Sequence, residues 1–193
     1  MYSWKALPDV TLHPAGQITT ALIARGLANF RVVGRYLHQL PYGRNSDRSD
    51  FRLVLSEGRG TCSTKHALLA ELAQEQTLPV VLTLGIYEMH ERNTPGVNVV
   101  LHRYGLPAIP EAHCYLAYEG MRIDITRSGV EPTGPIECFL YEEVITPAQI
   151  GEYKVQLHQR FLQKWITAQS LAKGLSFTAV WKIREECIAA LAQ

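Results

Sequence analysis

Cys62 follows the run Ser56-Glu57-Gly58-Arg59-Gly60-Thr61, which has the composition of a tight turn leading into a new element. Thr61 is a natural N-cap, and Ala67, Leu68, Ala70, Glu71, Leu72 and Ala73 are good helix formers. A helix is therefore expected from about Cys62 to about Gln76, with the cysteine in its first turn. A thiol attacks only as the thiolate, and its usual pKa near ~8.5 falls when the sulfur lies at a helix N-terminus beside an imidazolium. The free N–H groups of that turn, together with the helix dipole, stabilise negative charge on sulfur and suit the oxyanion of a tetrahedral intermediate. Gly58 and Gly60 would let a substrate backbone approach closely. The chemistry offered is nucleophilic catalysis by Cys62, once tertiary structure delivers a base.

The segments 113–118 and 121–126, joined by Glu119-Gly120, form the clearest hairpin in the sequence. A two-residue turn places Tyr118 opposite Met121, Leu116 opposite Ile123, Tyr115 opposite Asp124 and His113 opposite Thr126. His113 and Asp124 are then diagonal neighbours on one face, about 7 to 8 Å apart at Cα, within reach for the carboxylate to accept an imidazole N–H and fix its tautomer. By this geometry His113 is the base and Asp124 its orienter.

The segment Gly58-Arg59-Gly60-Thr61-Cys62-Ser63-Thr64-Lys65-His66-Ala67-Leu68-Leu69, preceded by Leu40-Pro41-Tyr42-Gly43, resembles the nucleophile motif of transglutaminase-like proteins, a branch of the papain-like superfamily. The resemblance covers Leu37 to about Thr126. It implies Cys62 as nucleophile, His113 as base and Asp124 as orienting acid on adjacent strands, with no cofactor. Tyr115 keeps the family's aromatic residue two positions after the histidine. Ala117 stands where an acidic residue is usual, and Met121 or Arg122 where a tryptophan often precedes the aspartate. The implied activity is acyl transfer or amide hydrolysis through a thioester, on a peptide, protein or small amide. The expected substrate contacts are Tyr42, Gly60, Thr61, Lys65 and Tyr115. The family also contains members without activity, so a silent binding domain of the same fold is the alternative.

Other readings of the same residues are open to comparison. His66 lies four residues after Cys62 on the same helix face, where a packing or supporting role suits it better than that of base. Lys65 is expected as a solvated surface lysine, or as a group that lowers the thiol pKa or binds a substrate carboxylate. Asn45 and Arg127 are further candidates for the cleft wall. His90, His102, His113 and Cys114 bring zinc-ligand chemistry, but their spacings match no compact ligand motif, and Cys114 alternates to the face opposite His113. No metal is expected.

The elements that must position these groups are an α+β set. Apolar residues recur at helical intervals from Gln17 to Leu40, with Gly26 as a possible break, and Pro41-Tyr42-Gly43 ends the pattern. Pro79 to Ile86 reads as a buried strand, Gly96 to Leu101 as a shorter one, and Cys138 to Val144 as another. Pro107 and Pro110 argue against regular structure from Arg103 to Glu111. Thr146-Pro147-Ala148-Gln149 is a capping-box pattern opening a helix through Ile150, Tyr153, Leu157, Phe161 and Trp165, and a last helix is expected from about Phe177 to Leu191. The expected architecture is one domain over 1–193, with a transglutaminase-like core of about 37–145. In it the nucleophile helix packs on an antiparallel sheet, and helices of about 146–193 cover the remainder.

Bulk properties fit this reading. The chain has 193 residues, 47% apolar and 19% charged, and its 19 basic and 18 acidic side chains form no long single-sign run, so no footprint for nucleic acid or an anionic membrane is visible. No window approaches the roughly 18 apolar residues of a membrane span, and Met1-Tyr2-Ser3-Trp4-Lys5 lacks the basic run before an apolar stretch that marks a signal peptide, so a soluble, intracellular protein is expected. Four cysteines at wide, irregular spacings are read as thiols of a cytoplasmic protein.

Overall fold

The computed structural model describes residues 1–127, 136, 138–168 and 174–191. Among them are seven α-helices: α1 (Gln17–Ile23), α2 (Phe30–Gln39), α3 (Leu53–Glu57), α4 (Cys62–Glu75), α5 (Asn98–Arg103), α6 (Glu152–Ala168) and α7 (Phe177–Ala190). Strands β1 (Val81–Met89), β2 (Ile109–Tyr118), β3 (Met121–Ile123) and β4 (Tyr141–Ile145) form an antiparallel sheet in the order β3-β2-β1-β4. The chain is α+β, as expected. No helix among the described residues is long and apolar enough to cross a membrane.

The chain packs as two compact units. The first comprises Met1–Leu84, His113–Gly129 and Glu143–Gly151. Its centre is α4, ten of whose fourteen residues are buried. Helices α1, α2 and α3 and the 3-10 turn Pro147–Ile150 all pack against it. Polar chemistry fastens both of its ends. Near the C-terminus of α4, Glu75 accepts hydrogen bonds from the backbone N–H groups of Ile18 (2.9 Å) and Thr19 (2.6 Å) and so caps α1. At the other end Thr61 and Thr64 form a reciprocal capping box.

The second unit comprises Gly85–Ala112, Val130–Glu142 and Glu152–Gln193. Helix α7 packs on α5 and α6, and Tyr87, Met89, Leu101, Ile109, Leu162, Val180, Ile183 and Cys187 make its buried core. Within this unit Arg184 Nε and Nη2 both bond the Glu111 carboxylate, Arg184 Nη1 reaches Glu185 at 2.6 Å, and the guanidinium lies 5.4 Å from the Trp181 ring centroid. His158 Nε2–H donates to the Pro110 carbonyl at 2.9 Å.

The hairpin has the expected register, with Leu116, Ala117 and Tyr118 opposite Ile123, Arg122 and Met121. Glu119 (φ 48°) and Gly120 (φ 74°) are both left-handed, as a two-residue turn of the mirror-image type requires. Strand β3 ends at Ile123, so Asp124 and Thr126 lie just beyond the ladder. The helical segment 17–40 does break at Gly26 (φ 77°), as its glycine suggests, and Asn29 caps the second half through Val32 N–H. Three expectations need correction. The segment 96–101 is not a strand: 98–103 is the short helix α5, whose Val100 and Leu101, with Val97 just before it, face the core while Val99 is exposed. Residues 103–111 are not all loop, because β2 begins at Ile109 and includes Pro110. The capping box at Thr146 opens a 3-10 turn that stops before Gly151, and α6 starts afresh at Glu152.

Candidate active site

The site lies within the first unit, and its foundation is the turn before α4. Gly60 pairs with the chain around Tyr42: Gly43 N–H donates to Gly60 O and Gly60 N–H to Pro41 O, both at 3.2 Å. Asn45, buried, donates to Arg59 O (3.0 Å) and Glu57 (3.1 Å) and accepts from Thr64 Oγ1 (2.8 Å). A Cβ on Gly60 would lie 2.9 Å from Lys65 Cγ and 3.0 Å from both Thr64 Oγ1 and Val54 Cγ2, so the close approach that this glycine allows is to α4 and α3. The result is a fixed N-terminus for α4 with Cys62 half-buried at its first position.

His113, on β2, is buried and points its Nε2–H at Asp124 Oδ2, 2.8 Å away. Its ring also makes a hydrogen bond with the Cys62 thiol. Burial alone would depress the His113 pKa, but the Asp124 carboxylate and the Cys62 sulfur raise it well above the ordinary histidine range. Asp124 is held by Thr126, whose N–H (2.8 Å) and Oγ1–H both donate to Oδ1, and its own N–H donates to Tyr2 O at 2.9 Å. Burial opposes its charge, yet His113 and Thr126 keep the carboxyl well below the usual carboxylate range.

Cys62, His113 and Asp124, expected together, are brought together. Tyr115 is buried and stacks on His113 with ring centroids 6.5 Å apart and planes at 18°, behind the imidazole. Thr61 caps α4, and Tyr42 is half-buried with the Arg127 guanidinium 4.7 Å from its ring centroid. Lys65 is not the solvated surface residue that its type suggests. It is fully buried, and Nζ donates to Leu40 O (2.6 Å) and Thr126 O (2.9 Å), joining the lead-in to the segment after Asp124. Burial lowers its pKa to about 8, with Asp124 opposing. The supporting residues Thr126 and Asn45 carry a weak sequence signal at most: Thr126 follows Asp124 by two, the spacing of a side-chain turn, and Asn45 sits in a polar stretch with no period.

His66 is completely buried. Its Nδ1 is 2.6 Å from Cys62 O, and its Nε2 is 2.9 Å from the Ile125 amide nitrogen. A carbonyl accepts and an amide donates, so the ring is neutral with its proton on Nδ1. Asp124 Oδ1 lies 3.5 Å from Nε2, but that nitrogen has no proton to give, and this proximity is no ion pair. Burial lowers the His66 pKa to about 4. Below the unfolded value near ~6.5, the unfolded chain takes up a proton that the folded chain refuses. His66 therefore withdraws stability as pH falls from about 6.5 to about 4, by about 3 kcal/mol over that window. Urea unfolding of the wild type and His66→Gln at pH 7 and 4.5 should show the difference between them narrowing or reversing at acid pH. A pH-independent difference would contradict the neutral assignment.

Among the described residues no group of three His, Cys, Asp or Glu side chains is placed to hold a metal ion. The arrangement that is present can generate a thiolate, hold an imidazolium beside it and return that proton to a leaving group. Comparison of the chain with protein-family models, with curated proteins and with solved structures gives no match, so the chemistry of this site is argued from its own residues.

Proposed function

We propose that the chain is a cysteine-dependent acyltransferase or amide hydrolase that works through a Cys62–His113–Asp124 triad on a papain-like core of the transglutaminase-like kind. The observation that carries this reading is the His113 ring, bonded through Nε2 to Asp124 and sharing a hydrogen bond with the Cys62 thiol at the start of α4. In the reaction, the Cys62 proton passes to His113 and the thiolate adds to the carbonyl carbon of a peptide, protein or small amide. The tetrahedral intermediate expels its amine, which takes the proton from His113, and a thioester remains on Cys62. Water or a second amine then gives its proton to His113, attacks the thioester and releases Cys62. Asp124 stabilises the imidazolium at each transfer and does not itself take up the proton. The cysteines, Cys62, Cys114, Cys138 and Cys187, are thiols and not disulfides, which suits a reducing, cytoplasmic setting.

Incubation with an activated acyl ester, followed by acid quench and intact-mass measurement, is expected to show one acyl group on Cys62. That group should be removed by hydroxylamine and absent in Cys62→Ala. An unmodified chain, or equal labelling in Cys62→Ala, would remove the enzyme and leave a binding domain with a retired site.

A further inference from the structure

Two imidazoles, His113 and His66, flank the single carboxylate of Asp124, with ring centroids 6.2 Å apart and planes at 72°. Only one of them can use it. His113 presents an N–H to Oδ2 at 2.8 Å, whereas His66 turns toward Oδ1, at 3.5 Å, a nitrogen already occupied as acceptor by the Ile125 amide. The other His66 nitrogen donates to the carbonyl of Cys62 itself. One ring thus joins the first residue of α4 to the residue that follows Asp124.

We propose that His66 is a positioning residue of the Cys62 site: a neutral imidazole that clamps the nucleophile's own backbone to the strand end bearing Asp124 and leaves that carboxylate to His113. The inference rests on the triad reading and adds the part that sets its geometry. Fixing the Cys62 carbonyl fixes the direction in which the Cys62 side chain leaves α4, and fixing Ile125 N–H fixes Asp124 next to it. Protonation of His66 at Nε2 would strip Ile125 N–H of its acceptor, leaving a buried amide unpaired. It would also aim a second donor at Asp124 Oδ1, which already holds two bonds from Thr126.

The surroundings disfavour that proton. The ionisable neighbours of this ring are Asp124 and His113 from the hairpin, Lys65 and Cys62 from α4, and His38 from α2, which bonds the Ile125 backbone. Asp124 is the carboxylate among them, and its charge is committed to His113 and Thr126. Lys65 extends the clamp by one residue, from Leu40 O to Thr126 O. Consecutive residues of α4 therefore hold consecutive residues after Asp124.

The experiment uses the full-length chain in two measurements. Long-range proton–nitrogen NMR of the labelled imidazoles, from about pH 5 to about pH 8, is expected to show His66 as the unchanging Nδ1–H tautomer with Nε2 unprotonated. The Nε2–H tautomer, or titration of His66 within that range, would overturn the proposal. Iodoacetamide alkylation of Cys62 then compares His66→Gln, whose amide oxygen can still accept from Ile125 N–H, with His66→Phe, which fills the space without bonding. His66→Gln should stay within about threefold of the wild type at pH 6, while His66→Phe, with cooperative unfolding retained, should lose about tenfold as its sulfur reverts toward an ordinary thiol. An unchanged profile in folded His66→Phe would reduce His66 to a core residue. An ordinary wild-type thiol would overturn the triad and the positioning role together, whereas a wrong His66 tautomer beside a reactive Cys62 would overturn the positioning role alone.

Discussion

Asp124→Asn should lose turnover by roughly 10³- to 10⁴-fold while the chain stays folded. The reason lies in the donors that surround the carboxylate. Thr126 directs its N–H and its hydroxyl at Oδ1, and His113 directs Nε2–H at Oδ2. An amide has a single oxygen. Two donors from Thr126 outweigh one from His113, so the oxygen takes the Oδ1 position and the amide NH₂ faces His113. The imidazole must then accept at Nε2 and carry its proton on the other nitrogen, where it meets Cys62 as a donor instead of a base. The imidazolium also loses its counter-charge, and its raised pKa falls. Acylation of Cys62 measured against pH for both proteins checks this, with circular dichroism as the control for fold. Activity within tenfold of wild type would mean that Asp124 does not set the tautomer.

Arg184→Ala should destabilise the second unit by about 3 to 5 kcal/mol, the range for removing one partner of a buried pair. Glu111 and Arg184 are both nearly buried, with side-chain exposures of 7% and 11%, and the guanidinium meets the carboxylate with two parallel bonds. Burial would raise the Glu111 pKa, and Arg184, with His158 nearby, instead holds it below the usual range. Deleting Arg184 reverses that balance and leaves a carboxylate that must be neutralised or hydrated. The sign of the pH dependence follows. In the wild type Glu111 contributes stability above its unfolded pKa and loses it as pH falls through the folded value. In Arg184→Ala its folded pKa rises above the unfolded one, so acid narrows the gap between the two proteins. Arg184→Lys should recover only part of the loss, because an ammonium cannot make both parallel bonds. Urea unfolding at pH 7 and 5 measures both effects, and a loss under about 1 kcal/mol would show that the unit does not depend on the pair.

The parts of this fold that were legible in the sequence are those where local chemistry decides the backbone. Thr61 announces the start of α4, and Glu119-Gly120 fixes both the turn and the register that sets His113 beside Asp124. Where tertiary packing decides, local signals mislead. The valines around 97–100 read as a strand, yet they serve a short helix whose buried face joins the core of α7. Pro110 argued for a loop, but it lies inside β2 near the end that pairs least with the hairpin. Lys65 reads as a solvated residue on a surface helix, and His66 as a packing or supporting residue whose partners the sequence does not name. They are buried because α4 is enclosed by α1, α2, α3 and the turn at 147–150, and such enclosure leaves no periodic pattern to read. Their backbone partners, Leu40, Thr126, Cys62 and Ile125, are distributed over three separate stretches of chain. The candidate triad was legible as residue types in order, whereas the clamp beneath it was legible only in three dimensions.

Whether Cys62 is an activated nucleophile is read most directly by brief iodoacetamide labelling across about pH 5 to 9, with peptide mapping of all four cysteines, in wild type and His113→Ala. An ordinary thiol with a pKa near ~8.5 is about 0.3% thiolate at pH 6, so its rate falls tenfold for each pH unit below. A thiolate held by the His113 imidazolium keeps reacting there, and although a low-pKa thiolate is the weaker nucleophile, a net advantage of about tenfold at pH 6 survives. The account predicts selective, nearly flat labelling of Cys62 on the acid side, lost in His113→Ala. Labelling of Cys62 that falls with pH like that of the exposed Cys138, and that ignores His113, would contradict it.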